Sequence, residues 1–144
     1  VSRNFKPKEF ACPCCSISNV DPDLVEALEQ YRTEVGDKPV FVLSGCRCPQ
    51  HNADVGGAEH SRHLTNGLRA CDAVDVRVPG MTLPQLYFAA CKVKPFNEGG
   101  IGIYLDKGFI HLDTRPGRER WGHMAGRYVP FIVAWKVLEK EGIV

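Results

Sequence analysis

No stretch of this 144-residue chain approaches the run of about 20 apolar residues that a membrane-spanning helix requires. Membrane insertion is therefore not expected. The first residues, Val1 to Lys8, lack the apolar core of a signal peptide, so the chain reads as soluble, with nothing in it that names a compartment. Charge of one sign is also not in excess. Eighteen Lys and Arg stand against 17 Asp and Glu, a net charge of +1, so no global field draws the chain to nucleic acid or anionic lipid. Internal repeats and low-complexity segments are missing too. The length is enough for one ordinary core, so residues 1–144 are expected to form a single domain, and a monomer is expected.

Cysteine, by contrast, is plentiful: seven residues, at positions 12, 14, 15, 46, 48, 71 and 91, an odd count that leaves at least one thiol unpaired within the chain. Cys12-Pro13-Cys14-Cys15 suggests a structural zinc knuckle, but no second CxxC or nearby histidine pair completes four ligands at the usual spacing. Local disulfides or buried thiols are the preferred reading, tying Cys12 or Cys71 to the Cys46/Cys48 pair.

Asp21 followed by Pro22 is an N-cap with proline at the first helical position, and Leu24, Leu28, Tyr31 and Val35 recur at helical spacing up to Gly36. Residues 39–43 form a short strand that delivers Cys46-Arg47-Cys48 to its end. Residues 50–72 read as loops, with one helical turn near residues 51–55. From Ala73 to Val78 the pattern alternates, with Val74, Val76 and Val78 toward the core and Asp75 and Arg77 on the other face. Thr82 caps a second helix running to about Val93. A hairpin then joins residues 101–104 to 109–113, with His111 and Asp113 on one face of the second arm. A last helix spans residues 129–140, with Phe131, Ile132, Trp135 and Leu138 on its buried stripe. This order predicts an α+β fold with a small, mostly antiparallel sheet and flanking helices.

A catalytic zinc site needs three histidine or carboxylate ligands and one open position. His63, Asp75 and His111 offer that set. A carboxylate among β-branched residues costs several kcal/mol unless it meets a cation or donors, and Arg77, on the same face, is the ordinary partner for Asp75.

Ser44-Gly45-Cys46-Arg47-Cys48-Pro49-Gln50-His51-Asn52, Val55-Gly56-Gly57, Ser61-Arg62-His63-Leu64-Thr65, Asp72-Ala73-Val74-Asp75, Gly99 to Tyr104 and Phe109 to Asp113 occur in this order over residues 40–121. Together they resemble the D-alanyl-D-alanine metallopeptidase family, which includes zinc carboxypeptidases, dipeptidases and phage endolysins and shares its fold with the hedgehog signalling domain. The resemblance implies hydrolysis of peptidoglycan peptides with one Zn2+ held by His63, Asp75 and His111. It also implies that Arg47 anchors a substrate carboxylate or carbonyl, with Ser61 as a nearby hydrogen-bond donor. A planar guanidinium at a strand end suits that task on its own terms.

Two departures stand out. His63 and Asp75 are twelve positions apart, more than the family interval, because residues 66–71 replace a shorter turn. That leaves Asp72 as a rival ligand, although strand alternation favours Asp75. The position three before the last ligand is Gly108, so the general base is open between Asp113, which could instead orient a ligand, and Asp106 on the hairpin turn. Two other readings stay in play. One is a zinc-containing binding module without turnover. The other is an iron(II) oxygenase triad of His111, Asp113 and His123.

Overall fold

Asp21 starts helix α1 (Pro22–Glu34) by accepting a hydrogen bond from the Asp23 N–H, and Gly36, at φ +78°, lies just past its end. The helix buries Leu24, Leu28 and Tyr31 against the rest of the core. The computed structural model describes residues 2–66 and 69–144, so positions 67 and 68 of the long His63-to-Asp75 loop lie outside the described residues. A 3-10 turn (Pro7–Phe10) precedes α1. Then follow β1 (Phe41–Ser44), α2 (Pro49–Asp54), β2 (Ala73–Arg77), α3 (Leu83–Cys91), α4 (Lys94–Asn97), β3 (Gly100–Tyr104), β4 (Phe109–Asp113), β5 (Glu119–Met124), β6 (Arg127–Pro130) and α5 (Phe131–Lys140). Among these, α3 opens on a reciprocal capping box between Thr82 and Gln85, as Thr82 suggested.

The six strands form one mixed sheet in the order β1-β2-β4-β3-β5-β6, with every neighbouring pair antiparallel except β3 and β5. This is the expected α+β architecture with a mostly antiparallel sheet. Val74, Val76, Ile101, Ile103, Ile110 and Leu112 cover one face and bury completely in the core with the helices. Period-2 alternation places the intervening residues on the opposite face.

Strands β5 and β6 lie where sequence reading found no strand and began the last helix too early, at residue 129. Their hairpin turns at Ala125-Gly126, both with positive φ (+52° and +74°). Ala-Gly is a poor advertisement for a turn that usually selects Asn-Gly or Asp-Gly. The turn is held from outside instead, with the Ala125 N–H donating to an Asp106 carboxylate oxygen at 2.7 Å. Helix α5 accordingly starts after Pro130 and buries Ala134 and Leu138, while Ile132, expected on the buried stripe, is exposed. A disulfide joins Cys46 to Cys71, and Cys12, Cys14, Cys15, Cys48 and Cys91 are free thiols.

Candidate metal centre

Sheet register lines up the polar face. A bulge in β1 between Val42 and Ser44 puts Ser44 opposite Asp75, and Asp75 in turn pairs with His111, His111 with Gly102, and Gly102 with Trp121. A neighbouring row carries Phe109, Tyr104, His123 and Tyr128. Asp75 and His111 are therefore direct cross-strand neighbours.

His63 reaches the same place from a loop. Its backbone carbonyl accepts from the Arg47 N–H at 2.8 Å, and the Arg47 carbonyl accepts from the Thr65 N–H at 2.9 Å, so the loop is stitched to the end of β1. His63, Asp75 and His111 then offer one ligand atom each within 4.8 Å of one another, and the three residues are only 2%, 5% and 5% exposed.

The protons on the two imidazoles are spoken for elsewhere. His63 Nδ1 lies 2.7 Å from the Gly45 carbonyl oxygen, which can only accept, so Nδ1 carries the hydrogen and Nε2 presents a lone pair. His111 Nε2 lies 2.7 Å from Asp113 Oδ2, leaving Nδ1 turned to Asp75 Oδ1 at 3.1 Å. Asp75 Oδ1 is also 3.3 Å from His63 Nε2, yet among the described residues that buried nitrogen has no hydrogen-bond partner. With both imidazoles neutral, three lone pairs converge at a buried point on the cleft floor, an arrangement that repels itself unless a proton or a cation sits among them. The donor set, two imidazoles and one carboxylate, is the one catalytic zinc uses. The residues fit the metal.

Asp113, fully buried, accepts from His111, from the Gly100 N–H at 2.8 Å and from the Arg115 guanidinium at 2.7–3.0 Å. A side chain at Gly100 would run into this carboxylate. Burial raises the Asp113 pKa, but the His111 hydrogen bond and then Arg115 outweigh it and hold the group below the usual carboxylate range. Asp75 is held low as well, because His63 and His111 outweigh the burial that opposes ionisation. For His111, burial works against the charged form, yet Asp113 and Asp75 together raise its pKa.

Arg47 is the cation that Asp75 meets, at 3.4 Å from Oδ2, and its guanidinium also donates to Ser44 and Asn52. Arg77, the partner expected from strand alternation, lies instead over the Phe41 ring. Asp72 is forked by Arg62 and stands apart from the three-residue group. Ser61 accepts from the His63 N–H through its hydroxyl oxygen and lines the cleft.

The cleft above the centre has a volume of about 720 Å³, and Arg47, His51, His60, Tyr104, Trp121 and His123 are among the residues lining it. Among the described residues the only carboxylate in its lining is Asp75. Asp106 bonds the β5–β6 turn and Asp113 sits behind His111, and neither lines the cleft. Sequence reading missed the aromatic wall because it missed β5 and β6. Trp121 packs on His111 with centroids 4.9 Å apart, and His123 stacks on Tyr104 at 4.9 Å. Arg115, bonded to Asp113 and lying over the Trp121 ring, was missed for the same reason.

The model of the peptidase M15 family matches residues 3–113, a span that holds His63, Asp75 and His111. The peptidoglycan L,D-endopeptidase MepK of Escherichia coli (strain K12) is 32% identical over 108 residues, covering 71% of this chain and 55% of that protein. The probable peptidoglycan L,D-endopeptidase MepK of Haemophilus influenzae is 28% identical over 109 residues, covering 71% of this chain and 54% of its own length. The chain spans about half the length of the curated relatives it matches. With most of its length matched by the family model and the histidine–aspartate–histidine group inside the match, the chain belongs to the peptidase M15 family.

Proposed function

We propose that the protein hydrolyses peptide bonds in peptidoglycan stem peptides, as an endopeptidase, using one zinc ion held by His63 Nε2, Asp75 Oδ1 and His111 Nδ1. The observation that carries this reading is the convergence of three buried ligand atoms under an open cleft, with His63 Nε2 left without a hydrogen-bond partner among the described residues. The endopeptidase assignment draws on the likeness to proteins named as peptidoglycan L,D-endopeptidases. Zinc bound there would supply Lewis acidity, polarising a scissile carbonyl and acidifying a water.

The chain's own residues supply the rest. The Gly45 carbonyl and Asp113 hold the two imidazoles in the tautomers that face the centre. Arg47, tied to Ser44, Asn52 and Asp75, presents a pre-set guanidinium for a carbonyl or carboxylate of the substrate. Trp121 covers His111 on the cleft side and limits water around it. Among the described residues the cleft lining holds no carboxylate besides Asp75, so we assign proton delivery to the leaving amine to a histidine of that lining, and to His123 in particular because its ring is packed against Tyr104 and Tyr128. Asp113 acts as the orienting group for His111, and Asp106 serves the turn it bonds.

The same shortage of a free carboxylate is what favours the alternative, a zinc-containing module that binds muropeptides without cutting them. Mass spectrometry of muropeptides incubated with the zinc-loaded chain separates the two. Cleaved stem peptides that disappear with a chelator and with His63→Ala support hydrolysis. Stoichiometric zinc, tight binding and intact peptides would establish the binding module. Release of terminal D-alanine alone would replace endopeptidase by carboxypeptidase action.

A further inference from the structure

A second cluster of metal-binding side chains lies outside the cleft. The Cys12-Pro13-Cys14-Cys15 segment lacks a partner in sequence, but the fold supplies one. Cys48, at the start of α2, places its sulfur 3.8 Å from that of Cys12 and 3.8 Å from that of Cys14. The three sulfurs all lie within 4.8 Å of one another. Cys15 interacts with both Cys12 and Cys48.

Two chemistries compete for such a group. A disulfide brings two sulfurs to about 2.05 Å and can satisfy only one pair. Here Cys48 is equidistant from two cysteines, so a disulfide would strand one of them. A tetrahedral zinc ion at about 2.3 Å from each thiolate sets its sulfurs about 3.8 Å apart, the spacing found for both pairs.

The backbone is arranged for thiolates as well. The His51 N–H points at Cys48 Sγ at 3.4 Å, and backbone N–H groups of Cys14, Cys15 and Cys48 interact with the Cys12 thiol. The turn that gathers these donors is closed by Ser16, with φ +66° and its N–H on the Cys12 carbonyl at 2.7 Å, and by the Cys12 N–H on the Ile17 carbonyl at 2.7 Å. Neutral N–H dipoles aimed at sulfur offset the negative charge that accumulates when several thiolates share one dication.

We infer that Cys12, Cys14 and Cys48 hold a structural zinc ion, with Cys15, next to Cys14 in the chain, offered for the fourth position. The site is separate from the cleft and links the N-terminal segment to the start of α2. Binding releases the thiol protons and changes no oxidation state. Its consequence for the fold is local: Arg47 lies between Cys46, bonded to Cys71, and Cys48, bonded to the metal, so the residue facing the cleft is fixed on both sides.

Cobalt(II) titration of the metal-free whole chain tests this without any need for turnover, because thiolate ligands give cobalt an intense ultraviolet charge-transfer absorption that imidazole and carboxylate do not. The expected stoichiometry is two cobalt ions per chain, with the thiolate band saturating at one. His63→Ala should lose one ion and keep the band in full. Cys48→Ser and Cys14→Ser should lose one ion and most or all of the band. Cys14 is exposed, so its variant is expected to keep the wild-type near-ultraviolet circular dichroism even if replacement of Cys48 perturbs folding. Cobalt binding with no thiolate band in the wild type would overturn the inference. So would a non-reduced peptide map of freshly purified protein showing Cys48 bonded to Cys12 or Cys14.

Discussion

Asp113→Asn preserves the size of a fully buried side chain bonded by His111, Gly100 and Arg115, and removes only its charge. The carboxylate accepts from every one of these donors. An amide can accept through its oxygen alone, and its NH2 must face either His111 Nε2–H or the Arg115 fork, donor against donor. The charge-assisted bond that fixes the His111 tautomer, about twice the strength of a neutral one, is weakened or lost. Removing such an outer partner of a metal-ligating histidine typically costs about 10–100-fold in affinity, equivalent to about 1.4–2.7 kcal/mol. Stability should fall by about 1–3 kcal/mol from the unmatched donor, and not more, because the Arg115 side chain is partly exposed and can take water. The assay is zinc competition against a chromophoric chelator, with Cys14→Ser in both arms so that only the histidine–aspartate centre is read. Urea unfolding and near-ultraviolet circular dichroism accompany it. A folded variant that binds zinc within twofold of the parent would refute the claim that Asp113 holds His111 for the metal.

Three other outcomes are expected. Arg47→Lys keeps the charge but loses the planar fork that meets Ser44, Asn52 and Asp75, so kcat/KM on muropeptides should fall about tenfold or more while zinc content stays unchanged. His123→Gln should lower kcat by about 10²–10⁴-fold at unchanged zinc stoichiometry, and full activity in this variant would remove His123 from the proton path. Replacing both Cys46 and Cys71 by Ala opens a bridge with a sequence separation of 25, and chain entropy puts the loss at about 3–4 kcal/mol, read as a lower urea midpoint.

Much of this architecture was legible in the sequence where one residue type announced one geometry. Asp21-Pro22 and Thr82 marked helix starts, and the Val-Asp-Val alternation gave β2 its two faces. Asp75 and His111 could be placed on one sheet face by period alone. Their being opposite each other could not, because that depends on register between distant strands. His63 was legible as a candidate ligand by residue type, but not its position beside the other two, since it sits on a loop fixed by backbone bonds to Arg47. The β5–β6 hairpin was hidden by its Ala-Gly turn, and with it went Trp121 and the place of His123 beside Tyr104, His123 being legible only as a member of an iron(II) triad. The cysteine cluster was half visible: Cys12, Cys14 and Cys15 fall within four positions of the sequence, while Cys48 arrives by a contact across 34 positions.

Gly102 has a consequence beyond packing. A side chain there would collide with the Trp121 ring, so the bare backbone of β3 is what lets the indole lie against His111. The only other tryptophan, Trp135, sits in a separate cluster with Tyr87, Phe88 and Phe131. Nature has thereby wired a fluorophore to the heart of the cleft. In a Trp135→Phe background, emission from a single indole would report each arrival at His111, whether proton, ion or peptide, in real time and without a label.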